Sequence, residues 1–245
     1  MKIKAGDIFP TNEGCQALVI SYQNSRNVLV EFLDENKHRL TLEAFDLRRG
    51  ELKNPFHPSV YGAGYLGDGD HKASLAGKLR PSYCSWRSVI ERCYSKKNLA
   101  RNPTYKGCLV HPSWLNFQVF ADWYEKEPNS GNLGFDLDKD LRLGGNKVYG
   151  PDTCSFVPEQ INTLLNNCGS SRGLLPQGVR ASGKKFEAIL RVKGNHTYLG
   201  VYETAAIAHE VYKKAKSDNV KSMAEQWRDH IHPEVYDYLK SWTLV

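Results

Sequence analysis

Three strand patterns followed by a long helix pattern, between residues 178 and 227, constrain the fold more than any other part of the chain. Strands are predicted for the runs GVRAS, KKFEAILRV and TYLGVY. Gly183 and the Gly194-Asn195 pair separate these runs, which is typical of antiparallel hairpins. A helix is predicted from Thr204, a residue suited to the N-cap, to Trp227. We therefore expect a three-stranded antiparallel sheet with one helix packed on it.

Residues 1–55 predict a separate small β module. Turn residues at Gln23–Asn27 separate two apolar, β-branched runs, ALVISY and NVLVEFL. This pattern predicts a compact SH3-like β-barrel of about five strands. Residues 56–82 are rich in Gly and Pro and are expected to form a linker. Aromatic side chains within it predict that the linker packs along the body of the protein.

Residues 83–168 predict two amphipathic helices and then a strand, a turn, a second strand and a third helix. The first helix has an apolar face with i, i+3, i+4, i+7 spacing, formed by Trp86, Val89, Ile90 and Cys93. The second is predicted over about Pro112–Lys126, and its aromatic face is expected in the core. Two short strands are predicted in 133–150 around the Leu143–Asn146 turn, and a helix over Pro151–Asn166. The fold class expected for the whole chain is α+β.

The net charge of +6 is concentrated in the C-terminal part of the chain. Residues 172–228 hold eleven Lys and Arg against five Asp and Glu, so the remainder balances at 22 against 22. A basic module predicts a polyanionic partner. No apolar run is as long as a membrane span and no signal peptide opens the chain, so we expect a cytoplasmic protein without a membrane partner. The six cysteines contain no C-x-x-C pair, which favours free thiols over a zinc site.

Carboxylates alternate along the strand predicted near residue 137. Asp136, Asp138 and Asp140 would therefore share one face of that strand. Oxygen ligands of this kind suit Mg²⁺ or Mn²⁺, and such a metal can activate water for phosphodiester hydrolysis. The same pattern fits a surface strand with three solvated carboxylates, and the spacing alone leaves both alternatives open.

One segment, LDKDLRLGGNKVYGPDTCSFVPEQIN, resembles the ββα-metal motif of HNH endonucleases, in particular the phage-borne homing type. The resemblance implies a DNA endonuclease that uses Mg²⁺ or Mn²⁺. It places Asp138 on the metal, with Asp140 and Asn162 as further ligands, and it gives Asn146 the role of fixing the loop. Lys139 stands where the family has its general-base His, so it would act as the base or would neutralise the phosphate.

Two departures from the family pattern keep a second hypothesis open. Besides Lys139, Cys154 stands about where many homing members have a metal-binding Asn. His111, from the preceding helical region, would be an alternative source of a base. The alternative function is a catalytically inactive DNA-binding or regulatory protein on a decayed nuclease scaffold. Further segments from residue 54 onward look like phage HNH-like proteins, which implies the cytoplasm of a bacterial host.

Residues 172–245 resemble the AP2 domain of plant transcription factors and mobile nucleases. The matching segments include Gly178-Val179-Arg180, Lys185-Phe186, Tyr198-Leu199-Gly200 and Thr204-Ala205-Ala206. In that family the sheet enters the major groove of double-stranded DNA and the helix packs behind it. Arginines would then read guanine edges while lysines hold phosphates. The implied DNA-binding residues are Arg180, Lys184, Lys185, Arg191, Lys193, His196 and Tyr198.

Overall fold

The computed structural model describes residues 2–165, 174–192 and 194–244. They belong to two compact units, residues 1–125 and 126–245. In these described ranges the protein is α+β, as expected, with several small antiparallel sheets and seven α-helices. The boundary between the two units, after residue 125, falls inside the region 83–168, which is predicted from the sequence to be one domain. The predicted junction at 168–172 lies outside the described residues.

The N-terminal unit begins with a four-stranded antiparallel sheet whose strands follow the order of the chain. The strands are β1 (Ile8–Pro10), β2 (Gln16–Asn24), β3 (Asn27–Phe32) and β4 (Arg39–Leu42). The two apolar runs of the sequence are β2 and β3, and alternate residues such as Val28, Val30 and Phe32 are completely buried. Alternation along these strands therefore places one face of the sheet in the core of this unit.

The predicted five-stranded SH3-like barrel is wrong in the described part of the chain, where no barrel closes. A short helix, α1 (Ala44–Arg49), follows β4 in place of a fifth strand. Ala44 and Leu47 lie three residues apart and are both buried, which is the spacing of a helix face. The left-handed backbone of Gly50 (φ 68°) ends this helix.

Helices dominate the rest of the N-terminal unit. The elements are the hairpin strands β5 (Ser74–Leu75) and β6 (Lys78–Leu79), α2 (Pro81–Tyr94), α3 (Lys96–Arg101), β7 (Leu109–Val110) and α4 (Phe117–Lys126). The predicted apolar face of α2 is buried. The aromatic face of the helix predicted over about Pro112–Lys126 is also buried in α4, which begins at Phe117. Residues 54–82 pack on these helices, since the Gln118 amide donates to the carbonyls of Leu66 and His71 at 3.0 and 3.1 Å.

In the C-terminal unit the strand–turn–strand–helix segment differs from its prediction. Its first strand, β8 (Phe135–Asp138), is paired antiparallel with β10 (Ser155–Pro158), and the two-residue strand β9 (Val148–Tyr149) lies in the connection. Residues 155–158 were expected in a helix, but all four are buried in the sheet. The helix α5 begins only after Pro158, which occupies its N-cap, and is four residues long (Glu159–Asn162).

The three predicted C-terminal strands and the helix after them are all present. They are β11 (Val179–Ser182), β12 (Lys185–Val192), β13 (Asn195–Tyr202) and α6 (Ala205–Gln226). The sheet is antiparallel in the order β11-β12-β13. The hydroxyl of Thr204 accepts a hydrogen bond from the amide of Ile207 at 3.2 Å, which is the expected N-cap.

Helix α6 packs on two partners along its length. Ala208 and Tyr212 are buried in its first half, which contacts the sheet. In its second half, Val220, Met223 and Ala224 share a core with Val157 of β10, Ile161 of α5 and the last helix, α7 (Pro233–Ser241). The sheet and the strand–helix segment are therefore joined through one continuous helix. No helix in the described ranges is long and apolar enough to cross a membrane.

Candidate functional site

Asp138 lies at the end of β8, where the chain turns out of the sheet. Its Oδ1 accepts hydrogen bonds from the backbone amides of Asp140 and Leu141 at 2.8 and 2.7 Å. These bonds close a turn and fix the direction of the side chain. Burial nevertheless raises the pKa of Asp138, although the two amide donors oppose that shift. The chain thus keeps a partly buried carboxylate where an uncharged side chain would be better tolerated.

Asn146 holds together the loop that follows Asp138. Its Nδ2 donates to the carbonyl oxygens of Lys139 and Val148, both at 2.8 Å, and its Oδ1 accepts from the amide of Val148 at 3.1 Å. Three hydrogen bonds from one side chain connect the two ends of the loop. This arrangement agrees with the loop-fixing role that the motif implies for Asn146.

Lys139 points into the loop and is only 7% exposed. Its Nζ donates to Oδ1 of Asp140 at 2.6 Å and to the carbonyl oxygen of Asn146 at 3.1 Å. The ammonium also lies 5.6 Å from the centroid of the Tyr149 ring. A role as a base, or as a clamp on phosphate, would require Lys139 to leave these contacts.

The three residues implied as metal ligands have three different partners. Asn162 donates through Nδ2 to Oδ2 of Asp136 at 3.2 Å, and Asp140 is paired with Lys139. Asp138 accepts from backbone amides. Over the described ranges, no group of three His, Cys, Asp or Glu side chains is arranged to hold a metal ion. As they stand, these residues do not fit a Mg²⁺ or Mn²⁺ site, which would need Asp140 and Asn162 to change partners.

Cys154, the second departure from the family pattern, is completely buried beneath the loop. Burial raises its pKa to about 12, with a smaller contribution in the same direction from the charge of Asp138. The thiol therefore stays protonated near neutral pH. Its complete burial makes Cys154 a packing residue in this structure.

Three residues near the loop were missed by reasoning from sequence, and they are Arg142, Glu234 and Tyr238. The guanidinium of Arg142 donates to Oε2 of Glu234 at 2.7 Å and to the carbonyl oxygens of Pro151 and Cys154 at 3.3 and 3.2 Å. The pKa of the Tyr238 phenol is raised by burial and then by the charges of Asp140 and Asp138. Glu234 and Tyr238 belong to α7, about a hundred residues beyond the loop, so no local pattern indicates them.

The three-stranded sheet has one face against α6 and one face open. Ala188 and Leu190 are buried (0% and 5% exposed), so their side of β12 faces the helix. Residues directly opposite each other in an antiparallel pair share a face. The open side, named the outer face below, is formed by Arg180, Lys185, Glu187, Ile189, Arg191, His196, Tyr198 and Val201. Most of the residues implied as DNA-binding lie on this face.

The β12–β13 hairpin extends past β11 as a two-stranded ribbon. β11 pairs only with residues 185–188 of β12, whereas β13 pairs with residues 186–192. The register shifts between Ala188 and Ile189, and the extra residue in β13 keeps Tyr198 on the outer face, 61% exposed. Beyond β11, residues 189–192 and 195–198 therefore form a ribbon that carries Arg191, His196 and Tyr198.

Two of the cations on the outer face are paired with carboxylates. Arg180 donates through Nε to Glu187 at 2.5 Å, and Lys185 to Glu203 at 2.5 Å. The hydrogen bond from Arg180 lowers the pKa of Glu187, so this carboxylate stays ionised at neutral pH. Lys184 is exposed in the turn before β12, and Lys193 lies outside the described residues. Glu187 thus orients Arg180 and leaves the terminal nitrogens of its guanidinium for other partners.

Comparison of the chain with protein-family models, with curated proteins and with solved structures finds no match. The loop around Asp138 and the outer face of the sheet both lie in the C-terminal unit. They differ in chemistry, because the loop side chains are engaged with one another while the outer face is open to solvent. An exposed surface with cationic and aromatic side chains can bind a large anionic partner without rearrangement.

Proposed function

We propose that the chain binds double-stranded DNA through the outer face of the sheet β11–β13. The observation that carries the proposal is the two-stranded ribbon with Arg191, His196 and Tyr198 on its open side. A two-stranded β-ribbon is one of the elements that the major groove of B-DNA admits. Helix α6 covers the other face of the sheet, so the open face is left for the partner. This is the arrangement that the AP2-like resemblance implies.

The side chains on this face have the chemistry that duplex recognition uses. The terminal nitrogens of Arg180 and Arg191 suit bidentate contacts with the O6 and N7 atoms of guanine. Lys184, in the turn before β12, and Lys185, the first residue of β12, suit contacts with phosphate. Glu187 fixes the direction of the Arg180 side chain, which reduces the entropy lost when that side chain binds.

The double variant Arg180→Ala, Arg191→Ala is expected to bind duplex DNA at least about tenfold more weakly than the wild type, because two cationic contacts are lost. The salt dependence of log K should also become shallower, by up to about 0.9 for each arginine that contacts a phosphate. Fluorescence anisotropy with labelled duplexes at several salt concentrations measures both effects.

The matched control removes the same charge from α6, behind the sheet. Lys213→Ala, Lys214→Ala takes away two lysines that are paired with Glu210 and Asp218 on that helix. We expect the control variant to keep nearly wild-type affinity. If the double arginine variant binds like this control, the proposal that the sheet binds DNA is wrong.

A second candidate function is cleavage of DNA at the loop after β8. The observation that favours it is Asp138, whose carboxylate is kept partly buried although burial raises its pKa. Carboxylates held against their own desolvation are enriched at functional sites. The charge of Asp140 adds to the rise in the pKa of Asp138 that burial causes, and the charges of Asp140 and Asp138 add to the rise that burial causes in the pKa of Tyr238. The metal that the ββα resemblance implies would bind here only after the rearrangement described above.

Asp138→Asn tests this candidate with two measurements. The pKa of Asp138 in the folded chain lies above its ordinary value, so ionisation disfavours the folded state. This destabilisation is full above the folded pKa and disappears as the pH falls through the unfolded value. The amide side chain keeps an acceptor for both backbone amides but carries no charge. We therefore expect the variant to be at least as stable as the wild type at pH 7 and to lose that advantage at acidic pH.

Urea unfolding at both pH values measures the stability, and plasmid cleavage with Mg²⁺ or Mn²⁺ measures the activity. The control for stability is Asp136→Asn, an exposed position of the same strand, which should change the unfolding free energy by less than about 0.5 kcal/mol. Cleavage by the wild type that is lost in Asp138→Asn supports the nuclease function. If the two proteins are equally inert over a range of plasmids and metals, the nuclease function is wrong and DNA binding without cleavage remains as the proposed function.

A further inference from the structure

A second basic surface lies in the N-terminal unit. It does not show in the net charge of the chain outside residues 172–228, because acidic residues elsewhere cancel it. The thirty residues 92–121 contain no Asp or Glu, but they contain five Lys and Arg. All five fall in the first half of this segment, at the end of α2, in α3 and after the turn that follows α3. We name this group the basic patch, and its members are Arg92, Lys96, Lys97, Arg101 and Lys106.

Four members of the basic patch are exposed, and among the residues that the structure describes they have no carboxylate partner. Lys96, Lys97, Arg101 and Lys106 are exposed, and none of them forms an ion pair with any described residue. By contrast, Arg180 and Lys185 on the outer face of the sheet are both paired with glutamates. Counted over the described residues, the basic patch thus offers more uncompensated positive charge than the sheet does.

The charges in α3 are placed against the stability of the helix itself. Lys96 and Lys97 lie in its first turn, where the partial positive charge of the helix dipole disfavours cations. Lys97 and Arg101 are four residues apart, a spacing at which like charges repel on a helix surface. No residue of α3 is buried, so side-chain packing does not compensate for these two unfavourable electrostatic interactions. An anionic partner that neutralises the cations would remove both interactions.

The surroundings of the patch suit a phosphate backbone. The guanidinium of Arg92 lies 5.8 Å from the ring centroid of Tyr105, which ties the end of α2 to the turn after α3. Asn102 donates to Oδ1 of Asn98 at 2.9 Å, and these amides lie among the cations as further polar groups. Helix α3 is about 9 Å long. A duplex presents roughly five phosphate charges over that length of its axis.

We propose that the basic patch binds the phosphate backbone of duplex DNA, as a second contact surface separate from the sheet. The inference rests on the proposed function, because it takes the same DNA as the partner. Phosphate contacts of this kind add affinity and salt dependence without reading sequence. The N-terminal unit then contributes to binding in its own right.

The test is the full-length variant Lys96→Gln, Lys97→Gln, Arg101→Gln, Lys106→Gln. Between roughly 50 and 200 mM salt, the slope of log K against log[salt] for a duplex is expected to be shallower than that of the wild type by about two to four. In the same salt range, the affinity of the variant is expected to be at least about tenfold lower than that of the wild type. The matched control changes four exposed cations elsewhere in the same unit, as Lys2→Gln, Lys4→Gln, Arg26→Gln, Lys37→Gln. The control is expected to keep the wild-type slope to within about one.

A measurement on the wild-type chain does not depend on the folding of any variant. Acetylation of Lys96, Lys97 and Lys106 is expected to slow severalfold when duplex DNA is added, whereas Lys4 and Lys37 should react as before. Equal protection of both groups, or a patch variant with the slope of its control, overturns the inference. Loss of affinity for duplex RNA with unchanged affinity for DNA overturns it as well.

These results separate the patch from the sheet. A patch variant like the wild type, together with a weakened Arg180→Ala, Arg191→Ala variant, overturns the inference and leaves the proposed function standing. The reverse result supports the patch and overturns binding by the sheet. A wild-type chain that binds no duplex overturns both.

Discussion

Replacing Gly178 with alanine is expected to lower the free energy of unfolding by about 3 kcal/mol or more. Gly178 precedes β11 and has a left-handed backbone (φ +75°). A Cβ placed on it would lie 1.9 Å from Cδ2 of the Tyr212 ring in α6. The methyl group therefore adds a steric overlap to the backbone strain, and neither is relieved without moving the helix off the sheet.

Tyr212 has little freedom to move away from the new methyl group. Its ring is 5% exposed and is stacked on His209, with 6.1 Å between the ring centroids. His209 is itself held, because its Nδ1 donates to the carbonyl oxygen of Gln177 at 2.9 Å. The contact between Gly178 and the aromatic ring thus fixes how the first half of α6 lies on the sheet.

Gly183→Ala is the matched control for this prediction. Gly183 also has a left-handed backbone (φ +62°), but nothing lies within 4 Å of an added Cβ. It should lose about 1 kcal/mol from backbone strain alone. Urea unfolding followed by circular dichroism compares the two variants. Equal losses of unfolding free energy in the two variants would show that the contact with Tyr212 does not determine which side chains position 178 tolerates.

The sequence was sufficient where local periodicity decides the structure. Strands β11 to β13 and helix α6 agree with their predictions, because glycine turns and a threonine N-cap mark their ends. It was insufficient where a distant partner decides. The run Ser155–Pro158 is apolar and too short to distinguish a strand from a helix, and its pairing with β8 settles the matter. Whether the N-terminal strands close into a barrel likewise depends on strand contacts that no local pattern contains, and in the described residues they form an open four-stranded sheet.

The candidate sites divide in the same way. Asp138 and Asn146 were predicted from the sequence because a motif places them close together in the chain, and the side chain of Asn146 donates to the carbonyls of Lys139 and Val148 at the two ends of the loop. Tyr238 and Glu234 come from α7 and have no local signal. The basic patch was overlooked because charge was counted over the whole chain outside residues 172–228, where acidic residues elsewhere cancel it. Only a count over a window as short as one helix would have revealed it.

Ala215→Pro is expected to destabilise the C-terminal unit by about 3 kcal/mol or more. Ala215 lies in the middle of α6, a helix of 22 residues that is about 33 Å long. A proline there removes the hydrogen bond to the carbonyl of Val211 and places its ring against that carbonyl. The break falls between Tyr212, which packs on the sheet, and Val220, which packs in the core shared with β10, α5 and α7.

The location of the break gives this prediction a second, more specific outcome. With α6 intact, the sheet β11–β13 and the core around Ile161 and Leu239 share one helix, so they should open together. With proline at position 215, the two halves of the helix are expected to unfold separately. Hydrogen exchange of peptides from β12–β13 and from α7 would then report different opening free energies, whereas the wild type gives similar values for both.

Ala205→Pro is the control, because it places the same residue at the first position of the same helix. Proline is well tolerated there, since the amide it removes has no partner within the helix. The preceding residue, Thr204, already has an extended backbone (φ −130°, ψ 151°), as a residue before proline requires. The control should lose less than about 1 kcal/mol. If Ala215→Pro is as stable as this control, or if both regions still exchange alike, α6 does not couple the sheet to the segment that contains Asp138.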